Sequence, residues 1–214
     1  MFSPTPGIVL LPTAYFPSAA YFMEILRSQS VWIEQMETYP KQTFRNRCEI
    51  LTSAGKMNLI VPVTKPGGNH TITRDAELSY RQPWQQHHWK SIRTAYRSSP
   101  YFNYYADIFK PIFEEKEKTL IDLNYKILIL LNKLIGIKAE IAMTAEYLKQ
   151  PLGIRDLRFE FTPKKNMTPG TFPEYPQVFS HLHGFQRNLS MLDLIFNLGP
   201  ETMNYLEMVN QQPA

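Results

Sequence analysis

Apolar positions near the start of the chain predict a strand, a helix and a second strand. Residues 8–11 are continuously apolar, as in a buried strand, and Pro12 ends the run. Apolar residues then recur at helical spacing over residues 19–26, with Ser18 as the candidate N-cap. Residues 30–34 favour a second strand about one helix length later. This order is typical of a parallel β-α-β unit.

The next segments predict a β-hairpin. Residues 39–51 favour a strand, and alternation from residue 43 onwards places the following polar side chains on one face: Thr43, Arg45, Arg47 and Glu49. Residues 57–63 also alternate, and residues 52–56 suit the turn between the two strands.

Helices dominate the middle of the chain. Beyond Pro83, one apolar and aromatic stripe recurs every four residues: Trp84, His88, Ile92 and Tyr96. Two further helices are expected before Gly136, residues 137–165 are short and mixed, and a last helix is expected over residues 188–196. We therefore expect one α/β domain over residues 1–214, with a parallel or mixed sheet, a β-hairpin and a helical subregion at about 84–136.

Composition and charge narrow the possible partners. The 214 residues are 43% hydrophobic, and 23 Lys and Arg against 19 Asp and Glu give a net charge of +4. The basic residues do not form long runs and the aromatic residues lack an RNA-binding arrangement, which disfavours nucleic acid. No apolar run reaches the length of a membrane span, and a single cysteine without an export signal favours the cytoplasm. An anionic small molecule suits this balance better, and the oligomeric state stays open.

A cluster of basic and amide side chains in the predicted hairpin indicates an anion site. It consists of Lys41, Arg45, Asn46 and Arg47. Arginine presents a planar charged fork that suits phosphate or carboxylate. A half-buried amide at position 46 must find a partner in the protein or in a ligand. The alternative is an ordinary exposed strand in which Glu49 pairs with Arg47.

The turn between the first strand and first helix is a second candidate. It follows the carboxyl end of a strand, where open α/β sheets bind ligands and helix amides attract phosphate. We expect Thr13, Tyr15 and Ser18 to line this site. Neither a Gly-x-Gly-x-x-Gly fingerprint nor a P-loop supports it independently, and the alternative is that the turn only directs the chain.

Proton transfer has four candidates. His88 has an ordinary pKa near neutrality, which suits an acid or a base, although a buried core histidine is the alternative. Glu34, Glu37 and Asp75 could position or deprotonate an amine, or could be solvated surface residues. Cys48 is expected to be inert core, and the five histidines lack zinc-ligand spacing. We expect neither a metal nor another cofactor.

Several motifs, in this order and spacing, resemble the WbqC-like protein family over nearly the whole chain. They are Leu10–Pro17 with Tyr21 and Phe22, Glu34 with Glu37–Arg47, Leu59–Val63, Trp84 with His88 and Trp89, Ser99–Phe102, Asn188–Ser190, and Gly199–Glu201. Two departures matter: Leu11 stands where many relatives have Gln before the proline, and residues 136–175 are compact where longer relatives have a glycine-rich stretch.

The resemblance implies a cytoplasmic protein that acts on sugar-nucleotide intermediates of polysaccharide or lipopolysaccharide O-antigen biosynthesis. We interpret the chain as a transferase-like enzyme that works without a metal. In this hypothesis the basic cluster holds the anionic part of an activated sugar, such as a nucleotide sugar, and His88 handles a proton. The alternative is a non-catalytic binding or scaffolding protein that recognises a sugar nucleotide or a pathway partner.

Overall fold

The computed structural model describes residues 7–163, 165 and 172–211, and in these residues it has eight β-strands and seven α-helices. The strands are β1 Ile8–Pro12, β2 Ser30–Glu34, β3 Arg47–Thr52, β4 Gly55–Ile60, β5 Val63–Thr64, β6 Glu77–Leu78, β7 Glu140–Met143 and β8 Ile154–Asp156. The helices are α1 Ala19–Arg27, α2 Trp84–Tyr96, α3 Phe102–Glu114, α4 Leu120–Ile135, α5 Ser180–His183, α6 Met191–Leu198 and α7 Thr202–Gln211. The predicted α/β class is confirmed, whereas the predicted limits, residues 1 and 214, lie outside the described residues.

The central sheet has four parallel strands in the order β7-β2-β1-β8. β1 pairs with β2 from Ile8 opposite Ser30 to Pro12 opposite Glu34, and α1 makes the crossover between them. The predicted β-α-β unit is therefore confirmed. Both outer strands come from residues 137–165, where they are only four and three residues long, too short to give a clear alternation.

The β-hairpin is confirmed, but its first strand is shorter than predicted. β3 and β4 pair antiparallel from Arg47 opposite Ile60 to Thr52 opposite Gly55. Residues 43–46 instead form bends and a turn, after Gln42 with a left-handed φ of 58°. The backbone there bonds elsewhere: the Phe44 carbonyl accepts from the Tyr15 amide at 3.0 Å. Because the alternation stops at Arg47, Arg45 and Arg47 do not share a strand face.

The helical subregion has the predicted order. The stripe on α2 is buried at all four positions: Trp84, His88, Ile92 and Tyr96. In α4 the Thr119 side chain accepts the Asp122 amide at the N-terminus, and Gly136 ends the helix with a φ of 84°. The last helix of the prediction begins at Met191, after Ser190 as N-cap. Apolar side chains from the sheet, the hairpin and these helices form one continuous core.

Candidate functional site

Polar side chains meet at the carboxyl edge of the parallel sheet. They follow or end the four strands: Thr13 after β1, Glu34 in β2, Thr144 after β7 and Asp156 in β8. Open α/β sheets bind ligands at this edge, because the loops that leave the strands form a crevice there. The candidate site is therefore built around these four strand ends.

Arg158 lies at the centre of a charge cluster at this edge, in which Arg158 and Glu34 are buried and Asp156 is partly exposed. Its guanidinium, 2% exposed, donates from Nε and Nη2 to the two carboxylate oxygens of Asp156 at 2.9 and 2.7 Å. Nη1 donates to Oε2 of Glu34 at 3.0 Å, and Oε1 of Glu34 accepts from the Thr144 hydroxyl at 3.0 Å. Hydrogen bonds from Arg158 hold the pKa of Asp156 below its ordinary value, so this carboxylate is ionised at neutral pH.

Arg45 and Glu37 form a second buried ion pair that adjoins the first. Nε and Nη2 of Arg45 lie 2.7 and 2.6 Å from Oε1 of Glu37. Nη2 also donates to the Arg158 carbonyl at 3.1 Å. Burial raises the pKa of Glu37, and the charge and hydrogen bond of Arg45 partly offset that effect. Glu34, Glu37 and Arg45, three of the predicted site residues, thus meet in one cluster.

This cluster changes the role expected of its members. Arg45 is 1% exposed and neutralised by Glu37, so it does not present a free charge to a ligand. Glu34 and Glu37 are buried rather than solvated, which rules out the surface alternative for both. Taking such charges out of water is favourable only when each finds a partner, as it does here.

Arg47 lines a small cavity beside the turn between β1 and α1. The cavity measures about 20 Å³. Its walls come from the turn, the hairpin and three other segments: Ala14, Tyr15, Phe16, Pro17, Ser18, Tyr21, Phe44, Arg47, Cys48, Glu49, Phe161, Asn188 and Ser190. Within the described residues, Nε of Arg47 is buried without a hydrogen-bond partner, and no ion pair joins Arg47 to Glu49. The pairing of Glu49 with Arg47, which was the alternative to an anion site, is therefore not observed.

The first amides of α1 are already bonded within the protein. The Ala19 amide donates to the Leu189 carbonyl at 3.2 Å, and the Ala20 amide donates to Oδ1 of Asn188 at 2.9 Å. Ser18 caps the helix by position only, since its side chain makes no capping hydrogen bond. An anion at this turn would depend on Arg47 rather than on the helix N-terminus.

The same turn carries backbone strain. Phe16 has a φ of 40°, although it is not glycine and is 1% exposed. Its ring stacks on Phe113, with ring centres 5.9 Å apart and 9° between the planes. A positive φ at a bulky residue costs on the order of 1–3 kcal/mol. Such a conformation persists only where packing enforces it, often at functional sites.

His88 reaches the cavity only through Tyr15. Its Nδ1 lies 2.9 Å from the Tyr15 hydroxyl, and the ring is within hydrogen-bonding reach of the Ile60 carbonyl. Burial lowers the pKa of His88 to about 4, so the ring is neutral at pH 7. With the ring proton on the nitrogen that faces Ile60, Nδ1 accepts the hydroxyl proton of Tyr15. His88 thus supports a cavity wall.

The remaining predicted residues lie in three different settings. Thr13 accepts from Nδ2 of Asn124 at 3.0 Å, and the same nitrogen donates to the Arg45 carbonyl at 2.8 Å. Asn46 has a partner at one atom: Nδ2 donates to the Val61 carbonyl at 2.8 Å, whereas the buried Oδ1 accepts no hydrogen bond from the described residues. Lys41 and Asp75 are exposed and outside both the cluster and the cavity wall, and Asp75 pairs with Arg74 at 3.3 Å.

Sequence reasoning missed four members of the site: Asn124, Thr144, Asp156 and Arg158. Asn124 belongs to a helix whose apolar residues drew attention to packing. The other three follow or end the short strands β7 and β8, and no strand was predicted there. The available signal was an acidic and a basic residue two positions apart, Asp156 and Arg158, shortly after the apolar Ile154.

The described residues contain neither a metal-ligand cluster nor a membrane-spanning helix. No three His, Cys, Asp or Glu side chains among them stand together in a way that could hold a metal ion. None of the helices described has the length and apolar character needed to cross a membrane.

Two comparisons with known proteins relate this chain to others. A mycobacterial protein named "Uncharacterized protein Rv1507c", from Mycobacterium tuberculosis (strain ATCC 25618 / H37Rv), is 25% identical over 240 residues, which cover 95% of this chain and 99% of the relative. No solved structure matches the chain significantly. The signature of the WbqC-like protein family matches residues 13–160, a span that begins directly after β1 and includes the hairpin, the helical subregion and every member of the charge cluster. The chain therefore belongs to the WbqC-like protein family.

Proposed function

We propose that this chain binds an anionic, activated sugar intermediate of surface-polysaccharide biosynthesis, such as a nucleotide sugar, and acts on it as a transferase without a metal ion. The observation that supports binding is Arg47. Its Nε is buried and has no partner among the described residues, whereas Arg45 and Arg158 each form an ion pair with a carboxylate. A phosphate or carboxylate oxygen would supply the missing acceptor.

The cavity sets how such a ligand would lie. At about 20 Å³ it has room for one water-sized group, so a phosphate would insert one oxygen and leave the rest of the ligand outside. The packing that holds Phe16 in its strained conformation and the His88–Tyr15 hydrogen bond would keep two of the lining residues in place. Arg47 would thus orient the ligand by its charged group, as bidentate arginine contacts do.

Group transfer would need a proton acceptor near the bound anion. His88 is a weak base with a pKa near 4, and Glu37 is the stronger acceptor because burial raises its pKa. In this proposal an amine or hydroxyl of the sugar attacks an acyl donor, a bond to the acyl group forms, and the bond from that group to its leaving group breaks. Glu37 takes the proton of the attacking group and passes it to the leaving group, after which the carboxylate pairs with Arg45 again. The reacting part of the ligand would lie at the sheet edge, because Glu37 does not line the cavity. The ion cluster around Arg158 holds Glu34 and Glu37 at the sheet edge.

A non-catalytic binding protein is the second candidate, and one observation favours it. Glu34 and Glu37 are both paired with arginine, and His88 is held by Tyr15, so none of the three faces the cavity. A site of this kind would recognise the anion and leave its covalent bonds intact.

Binding is tested by isothermal titration of the purified chain with a panel of nucleotide sugars and with inorganic pyrophosphate. We expect Arg47→Gln to weaken binding by about tenfold, because a charge-assisted hydrogen bond contributes on the order of 1.5–3 kcal/mol. Lys56→Gln, on the exposed side of the same hairpin, is the matched control and should bind like the parent chain. Equal binding by the Arg47 variant and the control would remove the cavity from consideration.

Catalysis is tested separately by mass spectrometry of the binding nucleotide sugar after incubation with candidate acyl donors. A transferase gives a product whose rate falls with Glu37→Gln while ligand affinity is kept. A binder gives no product with any donor at enzyme concentrations equal to the substrate, and that result would support the second candidate.

A further inference from the structure

The outer face of α2 holds the excess positive charge of the protein. Residues 79–106 contain four Lys and Arg and no Asp or Glu, so they account for the whole net charge of +4. Lys90 and Arg93 lie on one face of α2, and Arg97, the C-cap residue that directly follows the helix, continues the spacing of three and four residues. All three are exposed, and within the described residues none forms an ion pair.

These residues line an open groove rather than a flat surface. The groove is about 590 Å³ and lies between α2 and the start of α3, with the following walls: Gln86, Trp89, Lys90, Arg93, Thr94, Arg97, Phe102 and Asn103. A second groove of about 540 Å³ shares Gln86 and Trp89 with it and adds Arg81 and Lys116. The one acidic wall residue, Glu114, pairs with Lys110 at 3.3 Å. We call these two grooves together the α2 furrow.

The ring contacts in the furrow argue against nucleic acid. Binding of single strands relies on bases that stack on free aromatic faces. Here Trp89 stacks on Phe102 and Phe113, with ring centres 6.2 and 5.4 Å apart. Tyr80 stacks on Trp84, and Lys116 lies over the Tyr80 ring at 5.4 Å. The concave shape also suits a chain better than a flat membrane surface.

The spacing of the charges suits an extended acidic peptide. Along an α-helix, three and four residues correspond to roughly 4.5 and 6 Å. Alternate side chains of an extended peptide point the same way and lie roughly 6.6 Å apart. Two or three carboxylates on one side of a strand-like segment could therefore each face a guanidinium or ammonium group of Lys90, Arg93 and Arg97. The amide and hydroxyl side chains of Gln86, Thr94 and Asn103 could bond the peptide backbone.

We propose that the α2 furrow is a docking surface for an acidic, extended segment of a partner polypeptide. It is separate from the Arg47 cavity, since no residue lines both. The proposal therefore does not depend on the ligand of that cavity.

The test is fluorescence anisotropy of a labelled eight-residue peptide of alternating Glu and Ser with the whole chain. Arg93→Glu combined with Arg97→Glu is the test variant. Lys56→Glu combined with Lys138→Glu is the control, because it makes the same change in net charge at two exposed positions outside the furrow. We expect the test variant to weaken binding by about tenfold or more, and the control to change it by less than about threefold.

Three results would overturn the proposal. The first is equal weakening by the two double variants, which would mean that only net charge matters. The second is absence of peptide binding at low salt. The third is tighter binding of an oligothymidine of matched charge, or of phosphatidylglycerol vesicles, than of the peptide. Circular dichroism checks that both variants fold, and we expect folding because all four substituted side chains are exposed.

Discussion

Replacing Arg45 by methionine is the sharpest test of the buried charge cluster. The change keeps a long apolar stem but removes the guanidinium that lies 2.6 Å from Glu37. The Arg45 and Glu37 side chains are only 1% and 4% exposed, so water cannot take the place of the lost cation. The Arg158 carbonyl loses a donor at the same time.

The size of the effect follows from this burial. Removing one partner of a buried ion pair costs about 3–5 kcal/mol of unfolding free energy, because the other charge stays buried and uncompensated. Replacing both partners by apolar side chains is often nearly neutral. We therefore expect Arg45→Met with Glu37→Met to be more stable than Arg45→Met alone, by about 2 kcal/mol or more.

The assay is urea unfolding at pH 7.5 and at pH 5, with fluorescence and circular dichroism as independent probes. In the Arg45 variant the pKa of Glu37 in the folded state is raised further above its unfolded value, since the cation that lowers it is gone. The folded state then binds the proton more strongly, so the loss of stability should shrink as the pH falls.

Two results would refute this reasoning. One is a cost for Arg45→Met below about 1 kcal/mol, which is the size expected of a solvated surface pair. The other is a double variant no more stable than the single one, which would mean that Glu37 does not need its cation.

Two other predictions concern single sites. Burial lowers the pKa of His88 from 6.5 to about 4, so the unfolded chain binds a proton in this range that the folded chain does not. As the pH drops from about 6.5 to 4, His88 should therefore lower the free energy of unfolding by about 3 kcal/mol. Urea unfolding of His88→Gln should lack that part of the decrease. If this variant has the same pH dependence as the parent chain, the lowered pKa of His88 is contradicted. Gly199→Ala should lower the melting temperature far more than Gly184→Ala, because a Cβ at Gly199 would lie 2.5 Å from the Tyr101 ring while one at Gly184 meets no atom within 4 Å. Both glycines have positive φ, so equal losses would point to backbone strain alone.

The parts of the fold that repeat a pattern over many residues could be predicted from the sequence. The α2 stripe and the β1-α1-β2 unit are examples, because each buries one regular face. β7 and β8 could not be predicted, since strands of four and three residues carry too little alternation, and their place in the sheet depends on pairing with distant strands.

Only part of the candidate site could be predicted, because the rest depends on contacts between distant residues. The composition of residues 41–47 identified the basic cluster. The predicted strand, however, was extended back to residue 43, whereas residues 43–46 form a turn that hydrogen bonds to distant residues stabilise. That error placed Arg45 on an open face although it is buried. Arg158, the partner that completes the cluster, is 113 residues away from Arg45 along the chain, and no local pattern links the two.

The outer strands of the sheet have a consequence for biosynthesis. β1 and β2 leave the ribosome early, but the strands that cover their free edges are encoded after residue 137, beyond the whole helical subregion. Until then the nascent chain exposes unpaired strand edges, and such edges favour aggregation and slow folding. A protein built in this way completes its central sheet only after residue 156 has left the ribosome, so a ribosome-associated chaperone would have most to protect before that point.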